Sequence, residues 1–417
     1  MSMKSPEELY LEREKRVLDA IALKKPDRVP IMVMFGFFPA RYLGMTVQDV
    51  MYDPEKLWKA QWKTMVEFQQ DMEQNPFGLR FLGPILDTVD FKQLKWCGHG
   101  VGADYSYQFV EGEYMTADEY DHFLFDPTDF MLRKYWPRVF GSLTGLGKLT
   151  PMRNIITYSI GTPFGFAAYN APEVIQALDN LKKAGEKSAQ IASYSKKFSD
   201  EVRDAGFPMQ TGGFAQAPFD TLGDYFRGTR GLMLDMYRRP DKVIKACEKL
   251  LPIMIEMAVT GARNSGNPRI FIPIHKGIDG FMSEEQFKKF FWPTLRELFV
   301  ALIKEDLTPC PLWEGNCTSR LEWIKDIPAG KACYAFEASD IFKAKEVLGD
   351  VTCIRGNVPL SLMATGKPED VKAYCKKLID VVGKNGGYIM DASAALDDAK
   401  VENVKMLFEF TKEYGVY

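Results

Sequence analysis

The sequence predicts an α/β protein, a single (β/α)8 TIM barrel over residues 1–417 with an N-terminal helical extension and an insertion around residues 75–150. Short runs that are apolar on both faces alternate with amphipathic helical stretches about eight times. The length of 417 residues exceeds the ~250 of a plain barrel, which leaves room for an insertion. No G-x-G-x-x-G motif follows the first run, which disfavours a doubly wound sheet.

The predicted barrel strands are short and apolar, as buried parallel strands are. In chain order they are 29–35 (VPIMVMF), 154–160 (NIITYSI), 207–213 (FPMQTGG), 269–274 (RIFIPI), 307–313 (LTPCPLW), 332–336 (ACYAF), 351–355 (VTCIR) and 387–390 (GYIM). The second barrel strand is expected in or near the insertion, at 79–86 (LRFLGPIL). The rest of the insertion is rich in Tyr and Asp, and we expect it to form a lid or a small β-hairpin.

Helix start signals separate the predicted strands. Residues 5–8 (SPEE) combine an N-cap, a first-turn proline and a capping-box glutamate. A second capping box at 283–286 (SEEQ) opens a helix that Pro293 is expected to kink or split. Further helices are predicted at 172–200, 240–264, 368–384 and 399–414.

Composition limits the partners and the compartment. The net charge of −3, without a Lys/Arg cluster, argues against a nucleic-acid partner. The charged N-terminus lacks the apolar segment of a signal peptide, and no run of ~18 apolar residues predicts a membrane span. The seven cysteines contain no C-x-x-C pair and indicate reduced thiols. A cytoplasmic protein is therefore expected.

Polar or ionisable side chains directly follow consecutive predicted strands, namely His275, Glu314, Glu337, Asn357 and Asp391. Because the active sites of such barrels lie at the carboxyl ends of the strands, we expect His275, Glu314, Glu337 and Asp391 to be catalytic. Two chemistries are open for these groups. His275 and Glu314 could bind a divalent metal such as zinc through nitrogen and oxygen. The same groups could instead act as general acid and base without a metal.

Five segments spread over most of the chain carry a family resemblance. They are REKRVLDAIALKKPDRVPI near the start, GDYFRGTRGLMLDMYRRPDKV at 223–243, HKGIDGFMSEEQFKKFFWPTL at 275–295, CIRGNVPLSLMATGKPEDV at 353–371 and GYIMDASAALDDAKVENVK near the end. On these segments the chain resembles the uroporphyrinogen decarboxylase superfamily, which includes the corrinoid- and coenzyme-M-linked methyltransferases. The resemblance implies a (β/α)8 barrel and a monomer or homodimer.

The positions at which this chain departs from the family patterns indicate which of the family's activities to expect. Where decarboxylases carry an arginine pair for substrate carboxylates, this chain keeps Arg41 but has Phe37, and Pro84 stands where an aspartate holds the pyrroles. Phenylalanine cannot pair with a carboxylate and proline cannot bond a pyrrole, so porphyrinogen decarboxylation is not expected. The H-x-C zinc ligands of coenzyme-M-linked methyltransferases are also missing. Glu314 takes the place of the first cysteine, and the distant cysteine falls near Ser393.

The chain is therefore most similar to methyltransferases of anaerobic O-demethylation. The resemblance implies methyl transfer from an aromatic methyl ether, or another small methylated substrate, to the cobalt of a separate corrinoid (cobalamin) carrier protein. Glu314 and His275, with Glu337 or Asp391, would bind Zn²⁺ or protonate the leaving oxygen. The expected substrate-binding residues are Phe35, Phe37, Phe38, Arg41, Trp313 and Asn357.

Two other functions remain open. One is a decarboxylase or lyase that acts on a non-porphyrin carboxylic acid and binds the carboxylate with Arg41 and either Arg227 or Arg230; loss of CO₂ without corrinoid dependence would distinguish it. The other is a non-catalytic barrel that binds a corrinoid or tetrapyrrole. Accumulation of ionisable groups at the strand ends favours an enzyme over this binding protein.

Overall fold

The computed structural model describes residues 4–157 and 166–417. Within them the β-strands are β1 (Leu94–Cys97), β2 (Gly100–Val101), β3 (Gln108–Phe109), β4 (Gly213–Phe214), β5 (Arg269–Ile274), β6 (Thr308–Trp313), β7 (Cys333–Phe336), β8 (Cys353–Arg355) and β9 (Tyr388–Ile389). Strands β4 to β9 pair in chain order, and every pairing is parallel. This is the strand order expected of consecutive β/α units.

Two more segments close this sheet into a barrel. Ile31 forms a parallel bridge with Met390, directly after β9, and Glu73 forms a parallel bridge with Met209, before β4. The backbone N–H of Asp71 donates to the carbonyl of Ile31 at 2.9 Å and joins the two segments to each other. The ring thus has eight members, and the predicted (β/α)8 TIM barrel is confirmed.

The second barrel member is not the apolar run at 79–86 where the sequence predicted it. The strand expected at 79–86 is wrong, because Gly83–Val89 is an α-helix with a proline in its first turn. The barrel member is instead the segment around Asp71 and Glu73, whose side chains are fully buried despite being acidic. A search for apolar runs cannot detect a strand that buries carboxylates.

The strand predicted at 154–160 is also wrong where the structure describes it. Met152–Thr157 is a 3-10 helix, and residues 158–160 lie outside the described residues. The barrel passes from Glu73 to Met209 without this segment. The insertion therefore extends beyond residue 150, up to the long helix Pro172–Asp204.

Helices surround the barrel and fill the insertion. In the described residues the α-helices are Pro6–Ile21, Phe38–Tyr42, Val47–Tyr52, Pro54–Phe68, Gly83–Val89, Tyr120–Phe125, Pro127–Phe130, Trp136–Val139, Pro172–Asp204, Pro218–Thr221, Gly228–Arg238, Pro240–Ser265, Glu284–Gln286, Trp292–Lys304, Leu321–Ile324, Ile341–Leu348, Leu360–Thr365, Pro368–Leu378 and Val401–Tyr414. The 3-10 helices are Gly141–Lys148, Met152–Thr157, Ala167–Asn170 and Thr318–Arg320, and the π-helical turns are Met131–Tyr135, Leu222–Arg227, Phe287–Phe291 and Ile379–Gly383. None of these helices is both long enough and apolar enough to cross a membrane.

The helix signals read from the sequence hold in the structure. Both predicted capping boxes form, at Ser5 and at Ser283. Pro293 lies in the first turn of Trp292–Lys304, directly after the π-helical turn Phe287–Phe291, so the predicted split is confirmed. Proline lacks the N–H that an uninterrupted helix needs, and the π turn absorbs that loss.

The insertion forms its own small sheet and packs beside the barrel. Strand β1 pairs with β2 in parallel and with β3 in antiparallel orientation. A second hydrophobic cluster, including Phe77, Trp96 and Phe198, joins this region to helix Pro172–Asp204. The N–H of Tyr114 donates to the carbonyl of Phe226 at 2.8 Å, which brings the insertion against the π-helical turn Leu222–Arg227.

Side-chain alternation along the strands decides which residues face the barrel mouth. Ile274, Trp313 and Phe336 are register partners on β5, β6 and β7, and all three belong to the main hydrophobic core. Successive side chains of a strand point to opposite faces. The residues that follow these three, at 275, 314 and 337, therefore point away from that core and towards the barrel mouth.

Candidate active site at the barrel mouth

His275 is the centre of a network of charged side chains at the end of β5. Its backbone N–H and that of Lys276 donate to the carboxylate of Asp220, at 2.8 and 2.9 Å. Its Nδ1 atom lies 2.6 Å from Oδ2 of Asp224. Asp224 also accepts hydrogen bonds from Lys276 Nζ and from Gln216 at 3.0 Å. The imidazole ring is thus held by side chains that follow β4 and β5.

Glu314 faces His275 from the end of β6. Its Oε1 atom lies 3.6 Å from Nε2 of His275, beyond hydrogen-bond contact. The side chains of His275 and Glu314 are 29% and 42% exposed, so both are reachable from the barrel mouth. The structure therefore brings together the two residues on which the sequence hypothesis depends.

The charges around His275 favour its protonated form. Burial lowers the pKa of the imidazole, but the hydrogen bond to Asp224, the nearby Glu314 and the charge of Asp220 outweigh burial and raise the pKa to about 10. At neutral pH the ring is an imidazolium. Its Nδ1–H is directed to Asp224, and its Nε2–H points towards Glu314 without a close acceptor.

The two aspartates behind His275 differ in their environments. Burial, together with the charge of Asp224, raises the pKa of Asp220 to about 6. Burial also acts to raise the pKa of Asp224, but its hydrogen bond to His275 and the charge of Lys276 hold that pKa below its ordinary value. Asp224 is therefore the carboxylate that stabilises the imidazolium, while Asp220 fixes the backbone of 275 and 276.

Glu337, Asn357 and Asp391, three more predicted site residues, contact protein groups behind the mouth. Glu337 Oε2 accepts a hydrogen bond from the N–H of Gly315 and so supports the loop that carries Glu314. Asn357 is buried and donates to the carbonyl of Ser339 at 3.2 Å. The structure thus places these groups as supports of the strand ends.

Asp391 lies in a buried ion pair. Its Oδ2 atom accepts from Arg355 Nε at 2.7 Å, and its Oδ1 atom accepts from the backbone N–H of Ala392 at 2.7 Å and of Met34 at 3.3 Å. Burial raises its pKa to about 6, although Arg355 acts in the opposite direction. Asp391 is thus engaged with the backbone of the first and last barrel members, and it does not reach the His275–Glu314 pair in this arrangement.

The expected aromatic slot does not form at the mouth. Phe35, Phe38 and Trp313 are at most 1% exposed and belong to the main hydrophobic core, while Phe37 is buried in the second cluster. The reason is alternation, because Trp313 directly precedes Glu314 and so points to the opposite face. Tyr107 from the insertion and Tyr225 are instead the half-buried aromatic side chains near the charged network.

Two of the three arginines considered for carboxylate binding, Arg41 and Arg227, are already engaged, whereas Arg230 is exposed. Arg41 forms an ion pair with Asp398 at 2.7 Å and donates to the carbonyl of Asp104 at 2.7 Å. Arg227 is buried and paired with Asp235 at 2.6 Å. Arg41 is thus held by loop groups and Arg227 has a structural role.

Sequence reasoning missed Asp220, Asp224 and Lys276. The two aspartates lie six and ten residues after the end of β4, whereas the site hypothesis used residues that directly follow a predicted strand. A signal was present, since Asp224 lies in the segment GDYFRG that carries part of the family resemblance. Tyr107 gave no comparable signal, because its position near Glu314 depends on how the insertion folds back.

The donor set does not fit a resident zinc ion. In residues 4–157 and 166–417, no group of three or more His, Cys, Asp or Glu side chains is arranged to hold a metal. Catalytic zinc sites use three protein ligands, whereas His275 and Glu314 provide two. Lys276 also adds a positive charge beside Asp224. The mechanism proposed below therefore uses no metal.

Comparisons with known proteins agree with the fold. Residues 155–414 match the family described as Uroporphyrinogen decarboxylase (URO-D). A uroporphyrinogen decarboxylase from Chlorobium phaeovibrioides is 31% identical over 140 residues, which are 32% of this chain and 38% of that protein. One from Chlorobium luteolum is 26% identical over 183 residues, 43% of this chain and 51% of that protein. The chain thus matches about half the length, or less, of these curated relatives.

A solved structure extends the likeness to the whole chain. A methyltransferase from Methanosarcina mazei superposes with a TM-score of 0.64, covering 96% of this chain and 98% of that one. The sequence identity is 15%, so this likeness concerns the fold alone. Since the family match spans more than half of the 417 residues, the chain belongs to the uroporphyrinogen decarboxylase (URO-D) family.

Proposed function

We propose that the protein is a methyltransferase that moves a methyl group from a small aromatic methyl ether to the cobalt of a corrinoid protein. One observation carries the proposal, namely the imidazolium of His275 held between Asp224 and Glu314 at an accessible barrel mouth. Methyl ethers have a poor leaving group, and their cleavage depends on charge stabilisation at the departing oxygen. This arrangement offers a proton donor for that oxygen.

His275 acts as the general acid. Its Nε2–H lacks a close protein acceptor, so it is available to a substrate oxygen that approaches Nε2 from the barrel mouth, beside Glu314. As the bond between methyl carbon and oxygen breaks, the electron pair of that bond stays on the oxygen and the proton passes from Nε2 to it. A neutral phenol leaves, and the imidazole recovers its proton from solvent.

Asp224 and Glu314 prepare this acid. Asp224, 2.6 Å from Nδ1, fixes the orientation of the ring and stabilises its charge. Glu314 draws the Nε2–H towards the mouth and is itself positioned by Glu337, which binds the N–H of Gly315. Glu314 and His275 touch the substrate in this scheme, whereas Asp224 and Glu337 are positioning residues.

The open mouth suits an acceptor that arrives on another protein. When present, the corrinoid supplies reduced cobalt as the nucleophile that receives the methyl group. The 42% exposure of the Glu314 side chain means that a substrate beside it can be approached from outside the barrel. The chain's own contribution is to orient the methyl group outwards and to protonate the oxygen on its inner side.

A decarboxylase is less well supported by the same site. Removal of CO₂ calls for a cation that binds the substrate carboxylate, and Arg41 and Arg227 are occupied by Asp398 and Asp235. We therefore favour methyl transfer.

The direct test measures release of catechol from 2-methoxyphenol by the purified protein with reduced cobalamin as acceptor. We expect release that requires both components, with Glu314→Ala and His275→Gln lowering its rate by about 10²–10⁴-fold. Glu346→Ala, an exposed glutamate that pairs with Lys343, is the matched control and should behave as wild type. Absence of release from a panel of aromatic methyl ethers, or full activity in Glu314→Ala, would contradict the proposal.

A further inference from the structure

A cavity of about 1220 Å³, called the side cavity below, has neither His275 nor Glu314 among its lining residues. It lies between helices Pro172–Asp204 and Pro240–Ser265 and reaches the barrel strands at Phe214 and Phe271. Ligand pockets in proteins are commonly ~300–1,000 Å³, so the space is ample for a small molecule. We infer that this side cavity is a second binding site, and that it takes a small aromatic carboxylate.

The cavity has an exposed outer end and a buried inner end. Gly78 and Leu79 are exposed lining residues and mark the outer end. Gln210 and Arg355 line it as well, but they are only 3% and 6% exposed and mark the inner end. A ligand that enters from the surface therefore meets a buried cation at the far end of the space.

Arg355 has one guanidinium nitrogen, Nη1 with its two N–H groups, left for such a ligand. Its Nε atom donates to Asp391 at 2.7 Å, and its Nη2 atom donates to the carbonyl of Met32 at 2.8 Å and to Gln210 Oε1 at 3.1 Å. Its Nη1 atom has no hydrogen-bond partner among the described residues, and the side chain borders the cavity. An acceptor oxygen brought into the inner end would complete the hydrogen bonding of this guanidinium.

The walls of the cavity include groups that suit an aromatic ring. Phe214 and Phe271 lie side by side on β4 and β5, with ring centroids 6.4 Å apart and planes inclined by 46°. Phe214 is 40% exposed although it belongs to a barrel strand, so its ring borders open space. Met34 adds a polarizable side chain to the same lining. A planar ring can pack against these groups with its carboxylate directed to Arg355.

The acidic residues that line the outer end are paired with cations. Glu14 is paired with Arg269 at 2.6 Å. Asp200 is paired with both Lys196, at 2.5 Å, and Arg203, at 3.2 Å. Asp391 neutralises Arg355 from its Nε edge and leaves the Nη1 edge to the cavity. The buried nitrogen that is left for an anion is thus Nη1 of Arg355, at the inner end.

This site is separate from the proposed catalytic one. Neither His275 nor Glu314 lines the cavity. Phe271 and His275 lie four positions apart on the same chain segment, a separation of ~13 Å at ~3.3 Å per residue. The inference therefore stands independently of the proposed methyl transfer.

Binding of benzoate to the full chain, measured by isothermal titration calorimetry, tests the inference. Benzoate has no methyl group to donate and is therefore not a substrate of the proposed reaction. We expect saturable binding at one site, weakened at least ~10-fold for benzyl alcohol, which keeps the ring but lacks the charge. Absence of benzoate binding, or equal binding of the alcohol, would overturn the inference.

Two glycine variants locate the site. A Cβ atom at Gly78 meets nothing within 4 Å, so Gly78→Phe can narrow the outer end without a clash at Cβ and should weaken benzoate binding. Gly185, on helix Pro172–Asp204, is equally free of neighbours, exposed and outside the cavity, so Gly185→Phe is the matched control and should bind benzoate normally. Equal effects of both substitutions would contradict the placement.

Two further variants keep the test decisive. Phe214→Ala removes an exposed wall at small cost to the core and should weaken benzoate binding at least ~10-fold, which provides a second measurement if Gly78→Phe does not fold. Glu314→Ala should bind benzoate as wild type does. If Glu314→Ala lost binding while Gly78→Phe kept it, benzoate would occupy the barrel mouth and the inference would be wrong.

Discussion

The Nε2 atom of His275 lies 3.6 Å from Oε1 of Glu314, while the opposite nitrogen of the same ring is 2.6 Å from Asp224. One edge of the imidazolium is thus fixed by a carboxylate, and the other edge is drawn towards a second carboxylate without a hydrogen bond. Two neighbouring barrel strands deliver the pair, since His275 follows β5 and Glu314 follows β6. Such an asymmetric environment suits a ring that donates a proton to a bound substrate.

Leaving-group dependence tests the role of His275. We expect His275→Gln to lower the rate by about 10²–10⁴-fold with 2-methoxyphenol, because the departing oxygen loses its acid. With 4-nitroanisole the loss should be much smaller, since the nitrophenolate leaves without a proton. Parallel rate measurements on the two donors check this, and an identical loss on both would assign His275 to binding instead of proton transfer.

The pH dependence of kcat/KM provides a second test. Because the folded-state pKa of His275 is raised to about 10, the imidazolium and the activity should persist from neutral pH upwards and decline as the pH passes 10. The ion pair should also stabilise the fold fully below pH 6.5, with that contribution lost as the pH rises through 10. In Asp224→Asn the alkaline decline should shift to lower pH. An unchanged profile in that variant would count against the Asp224–His275 coupling.

Glu73 predicts a pH-dependent stability change. Burial raises the pKa of this fully buried carboxyl to about 7, against the hydrogen bonds from Gln70 and Gln61, so its neutral form is favoured. Its contribution to stability is present below pH 4.5 and is lost as the pH rises through 7. Glu73→Gln should thus be more stable than wild type at pH 8, by up to about 3 kcal/mol at ~1.4 kcal/mol per pKa unit.

Urea denaturation at two pH values measures this effect. At pH 4 the carboxyl and the amide are both neutral, so the two proteins should unfold at similar urea concentrations. A stability difference of the same size at pH 4 and pH 8 would show that packing, and not ionisation, distinguishes the variants.

Metal content distinguishes the two chemistries that the sequence left open. We expect elemental analysis of the purified protein to find zinc well below one per chain, and chelation to leave methyl transfer unchanged, because His275 and Glu314 provide only two donors and the described residues contain no group of three that could hold a metal. Glu314→Ala serves as the comparison. One zinc per chain in the wild type, lost in Glu314→Ala, would place a metal between these residues and replace His275 as the acid.

The core position of Trp313 is also testable. This side chain is fully buried against Tyr334, with ring centroids 5.9 Å apart. Trp313→Ala should reduce the free energy of unfolding by about 3–5 kcal/mol, as large-to-small core substitutions of aromatic residues do. The KM of the folded protein for its substrate should stay unchanged. A rise in KM with little loss of stability would instead indicate that Trp313 contacts the substrate.

The barrel was predictable because its signals are local. Runs such as RIFIPI and TPCPLW are apolar on both faces, as is typical of a strand that is covered on both sides. The capping boxes at Ser5 and Ser283 depend on residues that are only three positions apart. The polar residues after these runs also had to meet, because parallel barrel strands end at one face. His275 and Glu314 were found for this reason.

Tertiary structure decided what depends on distant contacts. The segment around Asp71 and Glu73 is a barrel member because its backbone pairs with Ile31 and Met209. Because its side chains include two acidic groups, the segment does not form the apolar run by which a buried strand is predicted. Asp224 reaches His275 from 51 positions away through the fold. The sequence by itself thus determined the barrel and the two strand-end residues, since both follow from local periodicity. The partners that set the charge of His275, and the direction in which each aromatic ring points, were decided by three-dimensional packing, because pairing energies between distant residues leave no periodic trace in the chain.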